Sequence, residues 1–254
     1  MIDVLARAVR EGGRVAREMF LRNEGLEAIL DRGVDVTRRA DLAVQEAVLE
    51  VLRSELPSAS VLTEESGWVR WGSGGPVVVV DPLDGSGNYV LGIPHFAVMA
   101  AAGGPGSVEV GDMTHAAVYL PMLDLLFAAD PARGVEVNGS RWRRVGREDV
   151  VFVELGRSFT LEAVDAPRRL GYKVRSSGCA GCSILAVALG RAVGFIDVRG
   201  RLGPWDVAAP LVFGRSNPSF SYWLAGGALG ERGRVKIIAG LDGFVERVRQ
   251  LIPL

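Results

Sequence analysis

The sequence predicts a layered protein of mixed helices and strands, and three observations carry that expectation. Its 254 residues, 48 % hydrophobic against 23 % charged, can bury a sizeable core in one large domain or two modest ones. Val77-Val78-Val79-Val80, introduced by Pro76, is an apolar β-branched run without alternation, as in a strand covered on both faces. Beyond residue 150, short strand patterns alternate with helical ones, the signature of α/β layering.

The elements follow in order. Ile2, Leu5, Val9, Ala16, Met19 and Phe20 fall near one face of a helix over 2–22, which Gly12-Gly13 weakens. Leu42, Val44, Val48, Val51 and Leu52 predict a second helix over 37–55, capped by Thr37 and closed by Pro57. Residues 60–63 form a short strand running into Glu64-Glu65, and the valine run follows. Residues 96–102 and 116–129 read as strands, the latter broken by a turn at 121–124, and Asn138-Gly139 is a hairpin signal. The second half gives strands at 151–153, 195–198 and 235–238, with helices near 161–171, 179–190, 206–214 and 242–252. A soft boundary near 145 divides the chain into 1–145 and 146–254.

Composition narrows the chemistry. Twenty-nine basic and 30 acidic residues leave a net charge of −1, which argues against a nucleic-acid or polybasic membrane binder. No apolar signal opens the chain and no stretch reaches a membrane span, so a cytoplasmic protein is expected. Two histidines and two cysteines leave little room for a Ser-His-Asp triad, a histidine-rich zinc site or a disulfide framework. Hard, oxygen-only chemistry remains open.

Asp81-Pro82-Leu83-Asp84-Gly85-Ser86-Gly87-Asn88 is the sharpest local feature. Asp81 ends the valine strand at the carboxyl edge of a sheet, a usual ligand position in such folds. Gly85, Ser86 and Gly87 then open a helix whose free N–H groups can hold an anion. Two carboxylates beside an anion nest repel one another and the anion, and divalent cations resolve that conflict. Glu64-Glu65 and Asp206, the latter after Pro204-Trp205, are candidates for further ligands, and such a set favours Mg2+ or Mn2+ over Zn2+.

Three segments, Thr63-Glu64-Glu65-Ser66-Gly67, Asp81 to Asn88 and Pro204-Trp205-Asp206-Val207-Ala208-Ala209, resemble the inositol monophosphatase family. Val36 to Asp41, Gly92 to Val98, Val118 to Pro121, Val137-Asn138-Gly139 and Arg175-Ser176-Ser177-Gly178 extend the resemblance over roughly residues 2–214. It implies the layered αβαβα sandwich of the lithium-sensitive sugar phosphatases, a homodimer, and a Mg2+-dependent phosphomonoesterase with two or three metals per site. It implies that Glu64, Asp81 and the Leu83 carbonyl hold one metal, and Asp81, Asp84 and Asp206 a second. Asp41 and the Ser86 hydroxyl would activate water, and the Gly85 and Ser86 amides would hold phosphoryl oxygens in an in-line displacement. Arg175, Ser176 and Gly178 would face the substrate.

Departures from the family pattern sharpen the expectations. Serine stands at 86 and glycine at 87 where the family usually has threonines, Cys179 replaces a serine or threonine, and Pro210 interrupts the alanine-rich helix. Arg199 stands where animal-type members carry a glutamate, and an arginine suits a second phosphate. That resembles the archaeal-type members acting on both fructose 1,6-bisphosphate and inositol 1-phosphate. The alternatives are a 3′-phosphoadenosine nucleotidase of the same superfamily, or a non-catalytic sugar-phosphate-binding homologue. Cys179-Ala180-Gly181-Cys182 suggests a redox pair or half a zinc site; no second pair and no nearby histidine complete one, so two core thiols are expected. His95 and His115 are expected to be structural, and Trp68 and Trp71 to pack, line a metal loop or meet a partner copy.

Overall fold

Side-chain alternation along the valine strand sorts the core into layers. The structure, a computed structural model, describes residues 1–31, 36–143, 146–156, 158–230 and 233–253, without the side chains of Asp31 and Val36. The boundary expected near 145, and Val36 as a motif side chain, therefore fall outside the described residues. In chain order the elements are α1 (Ile2–Leu21), β1 (Ala28–Asp31), β2 (Val36–Arg38), α2 (Arg39–Glu55), β3 (Ala59–Thr63), β4 (Gly67–Trp71), β5 (Val77–Asp84) and α3 (Ser86–Val90). Then come β6 (Ala97–Gly103), β7 (His115–Leu120), β8 (Leu125–Asp130), β9 (Gly134–Val137), β10 (Ser140–Arg141), β11 (Val150–Val153), α4 (Leu161–Arg169) and β12 (Lys173–Arg175). The chain closes with α5 (Ala180–Ala188), β13 (Gly194–Leu202), α6 (Pro204–Gly214), β14 (Phe220–Ala225), β15 (Val235–Leu241) and α7 (Phe244–Arg249).

An eight-stranded sheet, ordered β10-β9-β8-β7-β6-β5-β3-β4, and a five-stranded sheet, ordered β12-β11-β13-β15-β14, form two of the layers. Val78 and Val80 of β5 pack with α1 and α2, whereas Val77 and Val79 pack with α5 and α6. The second sheet repeats the device: Phe195 and Ile237 meet α5 and α6, and Ile196 and Ile238 meet α4 and α7. The result is the expected αβαβα sandwich, with α5 and α6 between the sheets. No described helix is long and apolar enough to cross a membrane.

Several local expectations are corrected. The helix expected from Thr37 begins at Arg39, because 36–38 pair with 28–31 as a two-stranded ribbon and the Thr37 hydroxyl donates to Glu65. The packing expected of Trp68 and Trp71 holds: both lie in β4, an edge strand antiparallel to β3, and pack against the core, and the Trp71 indole donates to the Leu56 carbonyl at 2.8 Å. Pro210 does not interrupt α6, which runs through it with the ring buried. The last helix begins at Phe244 rather than near 242 because Gly243 adopts a left-handed conformation (φ +72°) before it, and it ends at Arg249.

Gly12 and Gly13 are contact points of α1 rather than breaks in it. A Cβ on Gly12 would stand 2.6 Å from Val48, and one on Gly13 would stand 2.3 Å from the Tyr119 ring. Gly13→Ala is therefore expected to lower stability by about 1–3 kcal/mol, the usual cost of overpacking, even though alanine is the better helix former. Denaturant midpoints check this, and a variant as stable as the parent would show that Tyr119 moves aside freely.

Candidate metal centre and substrate cavity

Strand pairing places the acidic side chains. β3 runs parallel to β5 with Thr63 beside Val80, so Glu64 emerges one step on, next to Asp81. Pro82 has no N–H for the ladder, and the β5–β6 register shifts between Asp81 and Asp84. The Leu83 N–H turns back to Asp81 Oδ1 at 3.1 Å. Gly85, at φ +89°, then redirects the chain into α3, and a Cβ there would come within 3.0 Å of the His95 carbonyl oxygen. Asp206 arrives from α6, where its Oδ2 accepts the Gly203 N–H at 2.6 Å. Carboxylate oxygens of Asp81, Asp84 and Asp206 all lie within 4.8 Å of one another.

That convergence is electrostatically costly. Burial pushes the Asp81 carboxyl well above its ordinary range, and the charges of Glu64, Asp84 and Asp206 push it further. Burial also raises Asp84, opposed by the Cys179 thiol at 2.8 Å and the Cys182 N–H at 3.1 Å, both donating to its Oδ2. An oxygen-only donor set of this density, with two of its three converging aspartates buried, fits a hard divalent cation. Asp41 is buried at the first turn of α2, where its Oδ2 accepts the Arg38 N–H at 2.6 Å.

Glu64, Asp84, Gly85, Ser86, Gly178, Arg199 and Asp206 line one cavity of about 490 Å3. Among the expected substrate residues, Arg175 and Ser176 instead lie exposed at the end of β12, outside its walls. Arg199 reaches the cavity already paired: its Nη2 stands 2.5 Å from Asp197 Oδ2, with Asp197 fully buried and Arg199 only 14 % exposed. Three charged wall residues are not singled out by the sequence: Glu154, Arg201 and Arg234. Glu154 follows β11 directly, so the strand-end logic applied to Asp81 could have found it. It is buried, its Oε1 has no hydrogen-bond partner among the described residues, and burial raises its carboxyl to about 7, Asp84 adding to the shift and Arg199 opposing it.

Family comparison matches residues 1–213 to the inositol monophosphatase family. The chain belongs to that family. Nus factor SuhB of Pasteurella multocida is 31 % identical over 219 residues, covering 82 % of this chain and 79 % of that protein. Among solved structures, the extragenic suppressor protein suhB of Bartonella henselae is 25 % identical, with a TM-score of 0.80 over 98 % of this chain and 97 % of that one. The MJ0109 gene product, an inositol monophosphatase–fructose 1,6 bisphosphatase, superposes with a TM-score of 0.79 over 98 % of each chain at 19 % identity, a likeness of fold alone. The structure corrects one sequence expectation at this point: a histidine does stand beside the cysteine pair, because the turn after α3 returns His95 to Cys179 and Cys182.

Elevated carboxyl pKa values mean that the folded chain binds protons more tightly than the unfolded one. The stability these groups contribute is full below the ordinary carboxylate range and is lost as pH rises through the elevated folded values. For Glu154 the window runs from its ordinary value of 4.5 to about 7. In metal-stripped protein at pH 8, Glu154→Gln is expected to raise unfolding stability by on the order of 3 kcal/mol and to flatten the decline across that window. Asp81→Asn should act in the same direction, since Asn keeps an acceptor for the Leu83 N–H. Urea unfolding at pH 4 and pH 8 checks both; unchanged midpoints at pH 8 would show that the carboxylates are already neutralised.

Proposed function

We propose that the protein is a Mg2+-dependent phosphomonoesterase acting on a small phosphorylated sugar or polyol, fructose 1,6-bisphosphate or inositol 1-phosphate. The convergence of Asp81, Asp84 and Asp206 beside Glu64 at the wall of one cavity carries this reading. In it, Glu64, Asp81, the Leu83 carbonyl, Asp84 and Asp206 hold two or three cations, most of them from the 1–145 unit and Asp206 from the 146–254 unit. When bound, the cations supply Lewis acidity that makes water nucleophilic at neutral pH and offsets phosphoryl charge. Asp41 and the Ser86 hydroxyl take up and orient the water proton, and the Gly85 and Ser86 amides hold phosphoryl oxygens as the ester bond breaks in line.

Phosphate release from fructose 1,6-bisphosphate, inositol 1-phosphate and 3′-phosphoadenosine 5′-phosphate, measured in parallel, tests the assignment. Asp84→Asn should nearly abolish turnover, and Asp41→Asn should slow it while metal binding persists. Preference for the nucleotide would overturn the sugar-phosphate reading. The relatives named Nus factor SuhB motivate a second reading, a non-catalytic binding role; it is favoured if no ester releases phosphate with Mg2+.

Arg199 is held by Asp197, so reading of a second phosphate falls to Arg201 and Arg234, which are exposed at the cavity wall. Arg201→Ala is expected to cut kcat/KM for the bisphosphate by about ten- to a hundredfold, the value of a charge-assisted hydrogen bond, and to cost the monophosphate less. Arg199→Ala should instead destabilise the fold by about 3–5 kcal/mol, because it strands a buried carboxylate. A selective bisphosphate loss in Arg199→Ala, with stability intact, would reverse these roles.

A further inference from the structure

The cysteine pair belongs to no step of the proposed reaction, yet it is not isolated. Cys179 caps α5 and Cys182 occupies its first turn, a C-x-x-C spacing that turns both thiols to one side of the helix start. His95, on the turn between α3 and β6, brings a ring nitrogen to the same place, and the three ligand atoms all lie within 4.8 Å of one another. Asp84 Oδ2 stands 2.8 Å from Cys179 Sγ, on the wall of the substrate cavity. We propose that His95, Cys179, Cys182 and Asp84 form a binding site for a thiophilic divalent cation of the zinc and cadmium class, with Asp84 shared between this site and the acidic cluster.

The donor chemistry supports it. Two sulfurs, one imidazole nitrogen and one carboxylate oxygen make a four-ligand set of the kind zinc accepts, whereas Mg2+ prefers oxygen alone. Zinc–sulfur bonds of about 2.3 Å put tetrahedral sulfurs roughly 3.8 Å apart, so the two sulfurs, within 4.8 Å of each other, need to approach by no more than about an ångström. The surroundings hold the ligands where they are. The Cys179 N–H donates to Ser177 Oγ at 3.1 Å, and Ser177 Oγ shares a hydrogen bond with Ser183 Oγ at 2.6 Å. Asn88 Nδ2 donates to the His95 carbonyl at 2.8 Å and to the Ser177 carbonyl at 2.9 Å, tying the histidine turn to the loop before α5. Gly85 lets the two segments meet, since a Cβ there would lie 3.3 Å from the Cys179 Cβ.

Binding transfers no electrons: each thiol releases its proton to solvent as its sulfur bonds the cation. A thiophilic cation that engages Asp84 withdraws it from the oxygen cluster, so such cations antagonise Mg2+. That consequence rests on the proposed phosphatase reading; the binding itself does not.

The test uses the full chain, stripped of metal and titrated with cadmium, with thiolate-to-cadmium charge-transfer absorption as the readout. One cation per chain is expected, with binding weakened about ten- to a hundredfold in His95→Gln and in Asp84→Asn, and a smaller band in Cys182→Ala. Circular dichroism confirms that each variant is folded, and His95→Gln, at a partly exposed ring, keeps the test open if a cysteine variant is not. Absence of a thiolate band at one equivalent would overturn the proposal, as would parental affinity in both His95→Gln and Asp84→Asn. In active protein, cadmium inhibition relieved by added Mg2+ supports the sharing of Asp84, and inhibition undiminished in His95→Gln overturns it. Failure of the phosphatase reading would appear separately, as no Mg2+-dependent phosphate release before any cadmium is added.

Discussion

Three carboxylates held within 4.8 Å of one another, two of them buried and that of Asp206 half-buried, are the constraint that the rest of this structure serves. Left to themselves in a low-dielectric interior, such groups separate, protonate or recruit a cation. Here separation is blocked. Asp81 and Asp84 are fixed by a strand covered on both faces, and Asp206 by the first turn of a helix wedged between two sheets. The apolar layers do more than stabilise the fold. They supply the rigidity against which like charges can be assembled, and the burial that makes a divalent cation the favoured way to relieve them.

How much of this the sequence carried depended on whether a signal was local. Asp81 and Asp84 were legible because an unbroken valine run fixes where the strand ends and Pro82 fixes the turn. Glu64 and Asp206 were legible because each stands at the end of an element that the pattern predicts. Strands β4, β12 and β14 were not, because edge strands bury too little of either face to print an alternating pattern. The Thr37 expectation failed for a similar reason: a good capping residue was drawn away by a partner, Glu65, 28 positions along the chain.

The substrate side was the least legible, since its meaning depends on pairs that only folding creates. Arg199 looked available because nothing in its neighbourhood forbade it, but Asp197, two residues earlier in the same strand, takes its guanidinium in a fork. A period of two places such residues on one face, so the pair could have been read. The meeting of His95 with Cys179 and Cys182 could not, because 84 positions separate His95 from Cys179, and it is Gly85 that allows the close approach.

The cavity that results is lined by two unlike sets of charge. Glu64, Asp84, Asp206 and Glu154 are acidic, and Arg199, Arg201 and Arg234 are basic. In the proposed phosphatase reading, an anionic ester is repelled by the first set and drawn to the second. Cations held by the carboxylates would let its phosphoryl group turn toward them while the rest of the substrate stays with the arginines. Glu154 sits where these fields meet: Asp84 favours its protonated form and Arg199 its ionised form. Because the Arg199–Asp197 pair is already neutralised, the basic set acts mainly through Arg201 and Arg234. On that reading, substrate orientation follows from a contrast of charge that cations complete, set by the same carboxylates that burial and mutual repulsion raise in the metal-free fold.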